Sequence, residues 1–198
     1  MSGVQFSFGF EPPRQHDLFY FALRPDRPAA KAAAELARRS CLCHGLQGRP
    51  YDEGRLHVSL CPAMSRRGPR KGDITAALAA AGRVQAEAFE IGFDRLSAFR
   101  CAKRRAIVLL CSTDAAPVIR LRESLNRELV KAGLDWGRGR FVPHLTLLWD
   151  SRPVPETRLE TPVCWRANDF VLVHSLVGRS RQVDLGKWPL SENSSGGE

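Results

Sequence analysis

The sequence predicts an α+β protein built on antiparallel β-sheets. Strand-like segments occur in neighbouring pairs, helix-like segments are few, and the length of 198 residues fits one compact domain or two small lobes sharing a core. A doubly wound parallel sheet would need a crossover helix between every pair of strands, which the clustered strands exclude. The hydrophobic fraction of 43% and charged fraction of 26% are ordinary for a globular protein and exclude a fibrous or disordered class.

The first half of the chain predicts two strands and two helices. The aromatic segment 18–24 predicts a buried strand, and the alternating segment 55–61 predicts a half-exposed one. Residues 27–39 are rich in alanine and predict a helix, because alanine has the highest helix propensity. Residues 73–83 predict a second helix, with Asp73 as its expected N-cap.

The second half predicts strands around a long amphipathic helix. Residues 114–133 predict that helix, since Pro117 suits a first turn and Gly133 suits a terminus. Leucines four residues apart mark its buried face. The surrounding segments predict one or two strands over 86–99, a strand over 105–112, a strand over 141–149, and a closing hairpin of 170–177 with 182–188 that turns at Gly178.

Charge and cysteine content bear on partners and compartment. Lysines and arginines exceed acids by nine, which suits an RNA or nucleotide partner but also fits a solvated basic surface. No export signal or apolar segment of about 20 residues is evident, so we expect a cytoplasmic protein without a membrane span and with reduced thiols. Composition predicts a flexible arm over 1–16 and a disordered tail over 191–198.

A repeated tetrapeptide carries the functional signal. His-Val-Ser-Leu at 57–60 and His-Leu-Thr-Leu at 144–147 lie in matching strand-like contexts, 87 residues apart, and suggest a duplicated strand–helix unit. In a strand, residues i and i+2 share a face, so each histidine points with the hydroxyl that follows it. The alternate apolar residues should anchor each strand in a core: Leu56, Val58 and Leu60 in the first, and Leu145, Leu147 and Trp149 in the second.

Two imidazoles and two hydroxyls on one face suit in-line attack at phosphorus. One neutral histidine takes a proton from water, and a protonated one gives a proton to the leaving oxygen. Ser59 and Thr146 are placed to donate hydrogen bonds to non-bridging oxygens. A single histidine in a strand is usually structural, whereas two matched copies indicate catalysis. The symmetry leaves open whether His57 or His144 is the acid.

With these motifs the chain resembles the two-histidine phosphoesterases, and within them the bacterial RNA 2′,3′-cyclic phosphodiesterases formerly called 2′-5′ RNA ligases. The resemblance also includes LFYFALRPD at 18–26 and FVPHLTLLW at 141–149, and it spans roughly residues 17–190. It implies two pseudo-symmetric lobes, each an antiparallel sheet with flanking helices, around a central cleft. It further implies an enzyme that opens RNA 2′,3′-cyclic phosphate ends to 2′-phosphates, with His57 as proton donor, His144 as proton acceptor, and Ser59 and Thr146 on the phosphate.

The chain departs from this family at three places, one of which is the segment Cys61-Pro62-Ala63, where Phe-Leu-Gly is often found. The first motif has Ser59 where threonine is commoner, and Val142 stands where many members have arginine. Arg140 is a candidate replacement for that cation, provided the strand stays regular through Pro143. Phe21 is a second candidate substrate contact, because an aromatic ring on the first strand could stack a base, although core packing is the commoner role.

Several further residues and functions allow more than one interpretation. Cys41, Cys43 and His44 resemble a partial metal site but lack a second ligand pair, so neither a metal nor a cofactor is expected. His174 lies in a predicted strand as a structural or cleft-facing residue. We expect a monomer acting on RNA ends or nucleotides that carry a cyclic phosphate. The alternative functions are 2′-5′ RNA ligation, phosphodiester hydrolysis of a small cyclic nucleotide, and non-catalytic RNA binding.

Overall fold

The computed structural model describes residues 17–63, 69–101, 103–111, 114–137, 139–176, 179 and 181–192, so the predicted arm over 1–16 and the turn at Gly178 lie outside them. Three helices and eight strands are present in this part of the chain. In chain order they are β1 (Leu18–Leu23), α1 (Arg27–His44), β2 (Val58–Pro62), α2 (Lys71–Ala81), β3 (Phe89–Cys101), β4 (Arg104–Leu110), α3 (Ala116–Lys131), β5 (His144–Asp150), β6 (Thr157–Ala167), β7 (Asp169–Leu176) and β8 (Arg181–Pro189).

The strands form one antiparallel sheet in the order β6-β3-β4-β5-β2-β1-β7-β8. This confirms the predicted α+β class with antiparallel pairing. The two predicted lobe sheets are the two halves of this sheet, which we call the first half-sheet (β2-β1-β7-β8) and the second half-sheet (β5-β4-β3-β6). The halves meet where β2 runs antiparallel to β5, with Val58 paired to Leu145. The second residues of the two tetrapeptides therefore face each other across the junction.

The halves repeat the same local structure, as the predicted duplication requires. A strand–helix–strand unit, β1-α1-β2 or β4-α3-β5, ends each time on a tetrapeptide strand. Both tetrapeptide strands also bulge at the fourth residue: the register with β1 skips Leu60, and the register with β4 skips Leu147. A bulge inserts one extra residue and interrupts the alternation of faces. The predicted core position of Trp149 is wrong for this reason; it is half-buried and its indole N–H donates to the Tyr51 hydroxyl over 3.0 Å.

Helix ends differ from the predictions in ways that capping explains. Helix α1 begins after Asp26, whose carboxylate accepts from the Ala29 N–H at 2.8 Å, and it runs to His44 before Gly45 adopts a left-handed φ of 60°. Helix α2 begins two residues before the predicted start. Asp73 is therefore not the N-cap but the third helical residue, and its side chain accepts from the backbone N–H of Arg70 at 2.8 Å.

The three helices bury one face of the sheet. Helix α1 packs on β5 and β6 of the second half-sheet, whereas helix α3 packs on β2 of the first half-sheet and on β3 of its own. The predicted leucines of α3, at 121, 125 and 129, are buried. Cys61 and Cys111 are buried, and all six thiols are unpaired. The sheet face under the helices supplies the rest of the core, including Phe21, Val58, Leu60, Leu145 and Leu147.

Strand β6 has no counterpart among the sequence predictions. It is an edge strand in which Val163, Trp165 and Ala167 alternate as buried residues after a largely exposed and polar start. Too few apolar residues therefore mark it in the sequence. At the C-terminus, Ser191 exchanges backbone hydrogen bonds with Ala86 and Ala88, so ordered structure reaches the first residue of the predicted tail, and residues 193–198 lie outside the described part. No helix among the described residues is long and apolar enough to cross a membrane.

Candidate active site

Both tetrapeptides place their histidine and hydroxyl on the sheet face opposite the helices, which we call the site face. Along each strand, the histidine and hydroxyl are partly exposed, whereas the residues between and beyond them are buried. Because Val58 pairs with Leu145, the antiparallel register sets His57 beside Thr146 and Ser59 beside His144. The structure therefore brings together all four residues that the sequence proposed for catalysis and phosphate binding.

The two imidazole rings are anchored in the same way. Nδ1 of His57 lies 2.8 Å from the carbonyl oxygen of Arg55, and Nδ1 of His144 lies 2.8 Å from that of Val142. A carbonyl oxygen can only accept, so each Nδ1 carries a hydrogen and donates it. Nε2 is then the nitrogen of each ring that gains or loses a proton. The carbonyl two residues upstream sets this tautomer in both repeats, and two equivalent Nε2 atoms become available for proton transfer.

Aromatic side chains support both imidazoles. The Tyr20 ring stacks on His57, with centroids 4.7 Å apart and planes 24° apart. The Phe99 ring meets the His144 ring edge-on, with centroids 5.1 Å apart and planes 74° apart. Burial raises the pKa of the Tyr20 hydroxyl to about 12, so this group stays neutral. Both rings restrict imidazole rotation, which favours a fixed geometry for the two Nε2 atoms.

Burial also controls the protonation of the histidines. Desolvation, with smaller contributions from the charges of Arg24, His144 and Arg55, lowers the pKa of His57 to about 4 even though the Arg55 carbonyl stabilises its charged form. Desolvation likewise lowers the pKa of His144 below its usual 6.5, and the Val142 carbonyl opposes this effect. Both rings are therefore mainly neutral at neutral pH in the free protein.

Two arginines near His57 were not among the residues predicted from the sequence. Arg24 binds Asp184 through Nε at 3.2 Å and Nη2 at 2.6 Å, and its Nη1 reaches Gln182. Arg55 lies over the Tyr51 ring at 4.4 Å, and its buried Nε has no hydrogen-bond partner among the described atoms. Both charges disfavour protonation of His57, and the charge of Arg24 is already paired with the Asp184 carboxylate. The sequence did not identify these arginines as site residues, because both lie outside the two tetrapeptides. Arg24 follows β1, and Arg55 ends a short 3₁₀ turn (Glu53–Arg55).

The two weaker candidate contacts have different outcomes. Phe21 is fully buried among Trp136, Phe170 and Trp188 on the helix side of the sheet, so the prediction that it contacts substrate is wrong. Alternation places its neighbour Tyr20 on the site face instead. Arg140 is exposed in the loop before β5. Because β5 begins at His144, the regular strand through Pro143 that would align Arg140 with Val142 does not form, and a substrate contact by Arg140 stays a prediction.

Other candidate groups lie away from the site face. His174 pairs with Phe19 across β1 and β7, stacks on its ring at 4.3 Å, and lies 2.7 Å from the Asp17 carboxylate. Its neighbour Val173 shares the site face with Tyr20, so His174 points to the opposite face. Cys41, Cys43 and His44 lie in the last turns of α1. In the described ranges, no three histidine, cysteine or acidic side chains cluster as a metal site would require.

An α+β fold that pairs two His-x-Ser/Thr-x strands at its centre defines a two-histidine phosphoesterase. The sequence pattern of the 2′-5′ RNA ligase superfamily matches residues 25–179, which include both tetrapeptides. The chain therefore belongs to the 2′-5′ RNA ligase superfamily, whose members act on phosphodiester bonds. No curated protein matches the chain significantly.

Solved structures share this fold at low sequence identity. Apo E. coli LigT is 21% identical with a TM-score of 0.72, and the match covers 89% of this chain and 98% of that one. E. coli LigT complexed with 3′-AMP gives the same identity and TM-score, with 90% and 100% covered. The TT0787 protein of Thermus thermophilus is 19% identical with a TM-score of 0.70, again covering 90% and 100%. At these identities the likeness establishes the fold, and the site must be argued from this chain's own residues.

Proposed function

We propose that this protein hydrolyses RNA 2′,3′-cyclic phosphate ends to 2′-phosphates without a metal, using His57 as proton donor and His144 as proton acceptor. The observation that carries the proposal is the matched anchoring of both Nδ1 atoms, which leaves two Nε2 atoms for one proton transfer each. E. coli LigT, which shares the fold, has been solved with 3′-AMP and with phosphate. Those complexes support a nucleotide phosphate as the class of ligand for this chain.

In this mechanism water attacks phosphorus opposite the 3′ oxygen. Nε2 of neutral His144 takes a proton from the water as the new P–O bond forms. Nε2–H of protonated His57 gives its proton to the 3′ oxygen as the P–O3′ bond breaks, which leaves a 2′-phosphate. Ser59 and Thr146 donate hydrogen bonds to the non-bridging oxygens, where negative charge builds up in the transition state. The family resemblance assigns the acid and the base, because the two rings have equivalent surroundings at Nδ1.

The lowered pKa values predict an acidic optimum for kcat/KM. The active form carries a proton on His57, whose pKa is about 4 in the free protein, so raising the pH removes that proton. We expect kcat/KM to fall about tenfold per pH unit above pH ~7, since this parameter reports on the free enzyme. An anionic phosphate beside His57 raises its pKa, so the alkaline limb of kcat should lie at higher pH. A kcat/KM that rises between pH ~6 and ~8 would contradict a protonated donor.

The deciding experiment is hydrolysis of a short RNA that ends in a 2′,3′-cyclic phosphate, in the presence of EDTA. We expect turnover unaffected by EDTA, because imidazoles perform both proton transfers, and a product with its phosphate on the 2′ oxygen, located by NMR. A loss of activity that added zinc restores would contradict the metal-independent mechanism. A 3′-phosphate product would show that the 2′ oxygen leaves and that the proposed placement of the donor is wrong.

The same assay separates the alternative functions. Joining of RNA ends through a 2′-5′ bond uses the reverse of the same proton transfers, so a ligated product from RNAs with 2′,3′-cyclic phosphate and 5′-hydroxyl ends would reveal it. Turnover of a cyclic mononucleotide without any gain from RNA length would favour a small substrate. Tight RNA binding with no turnover would favour a non-catalytic RNA-binding protein.

A further inference from the structure

The tip of the β3–β4 hairpin is a dense cationic surface next to the site. Arg100, Lys103 and Arg104 are exposed, and Arg105 is half-buried. Together with Ser151 these four cations line a surface hollow of about 350 Å³. We call these five residues the hairpin hollow. A hollow lined by four cations and a serine is complementary to phosphate groups, since guanidinium and ammonium groups bind phosphate oxygens through charge-assisted hydrogen bonds.

The hairpin hollow is connected to His144 through one side chain. Phe99, whose ring contacts the His144 ring, immediately precedes Arg100 on β3 and pairs with Ala106 on β4. Arg104 pairs with Cys101. This pair lies two residues beyond the pair of Phe99 and Ala106, or about 7 Å further along the strands. Alternation sets Arg104 on the same face as Phe99, whereas Arg100 and Arg105 point to the other face at the same end of the hairpin. A chain whose end reacts at His144 would meet Arg104 first, within a few nucleotides, and then the other cations around the hairpin end.

The acidic neighbours of the hairpin hollow are already engaged. Asp150 pairs with Arg105 in the β4–β5 register, but it is only 3% exposed and its oxygens accept from the backbone N–H groups of Gln47, Gly48 and Arg152. These hydrogen bonds lower the pKa of Asp150 and hold its carboxylate away from solvent. The Arg104 guanidinium donates to the Trp149 carbonyl at 3.0 Å, and no acid among the described residues pairs with its charge.

We infer that the hairpin hollow binds the phosphate backbone of single-stranded RNA upstream of the reacting end, which makes an RNA strand rather than a mononucleotide the preferred substrate. This inference rests on the proposed function, because that function decides which end of the RNA reacts and therefore which nucleotides lie upstream of it. Backbone contacts of this kind recognise RNA without reading its sequence, and their strength falls steeply with salt because bound counterions are released.

The test compares two triple variants of equal charge. The first carries Arg100→Gln, Lys103→Gln and Arg104→Gln. The matched control removes three exposed cations of α1 that do not line the hairpin hollow, and carries Arg27→Gln, Lys31→Gln and Arg39→Gln. Both lose three positive charges, so any difference between them reports position rather than net charge.

We expect the hairpin variant to lose about tenfold or more in kcat/KM on a ten-nucleotide RNA with a cyclic phosphate end, while a cyclic mononucleotide is hydrolysed within about twofold of wild type. The control variant should behave as wild type on both substrates. Equal losses in both variants, or an equal loss on the mononucleotide, would overturn the inference.

A binding measurement keeps this test independent of turnover. Fluorescence anisotropy with a labelled ten-nucleotide RNA ending in a 2′-phosphate should show the slope of log Kd against log salt reduced by about 2 in the hairpin variant, since each lost contact to single-stranded RNA contributes about 0.7. A reduced slope in the hairpin variant, combined with no turnover by the wild type, would contradict the proposed function but support RNA binding by the hairpin hollow. An unchanged slope, or displacement of the RNA by polyglutamate of matching charge as readily as by RNA, would overturn the inference.

Discussion

Replacing either motif histidine by alanine should reduce turnover of a cyclic-phosphate-ended RNA by about 10³-fold. General acid and general base catalysis each contribute about 10² to 10⁴ to a rate, and each ring holds one of these roles. The loss should appear in kcat, because the proton transfers occur in the transition state rather than in substrate binding. Both His57 and His144 lie on the site face and outside the hydrophobic core, so neither variant removes core packing. Thermal unfolding should therefore stay close to wild type.

His174→Ala provides the matched control for these variants. It removes the same side chain from another strand of the same sheet, but from the opposite face, where the ring stacks on Phe19. We expect activity within about twofold of wild type. The double variant of His57 and His144 should lose little more than either single variant, because the two groups act in one concerted step. Near-normal activity in either single variant would contradict the paired mechanism.

The candidate active site was predictable because its pattern is local and repeated. In each tetrapeptide the strand period alone sets the histidine and hydroxyl on one face, and the pairing of Val58 with Leu145 then follows from the symmetry of the two copies. The backbone carbonyls that anchor Nδ1 belong to the same local pattern. They lie two residues before each histidine and could have been proposed from the repeat.

The missed features depend on register and on contacts between distant segments. Tyr20 contacts His57 only because β1 pairs with β2 through a register that shifts at Leu60, and a bulge leaves no local mark in an apolar run. Phe21, the contact predicted on the same strand, lies on the wrong face. Phe99 is on β3, outside the repeated strand–helix–strand unit, and reaches His144 through tertiary folding alone. The helical spacing of apolar residues predicted α3. The edge strand β6 was missed because its alternation of apolar and polar residues covers only its second half.

The tetrapeptide strand β5 is also held by the loop that contains Gln47 and Gly48, and there is no space for a side chain at Gly48. Asp150, the last residue of β5, accepts from the backbone N–H groups of Gln47 at 2.6 Å and Gly48 at 2.7 Å. These bonds draw the loop against the strand. A Cβ on Gly48 would overlap the backbone carbonyl oxygen of Trp149 and come within 2.8 Å of Leu148 Cδ1. A backbone carbonyl cannot rotate away as a side chain can, so the loop itself would have to move.

Gly48→Ala should therefore lower the free energy of unfolding by about 3 kcal/mol, the upper part of the range for an overpacked site. For a domain of this size that corresponds to a fall in Tm of roughly 6–12 °C, measured by calorimetry or circular dichroism. Gly54→Ala is the matched control, since a Cβ there meets no atom within 4 Å, and its effect should stay within about 0.5 kcal/mol. Equal Tm values for the two variants would contradict the close approach of this loop to β5. If Gly48→Ala lowers Tm and leaves the kcat of the folded protein unchanged, the loop stabilises the strand without shaping the site; a parallel loss of kcat would show that the position of β5 at Asp150 is transmitted to His144.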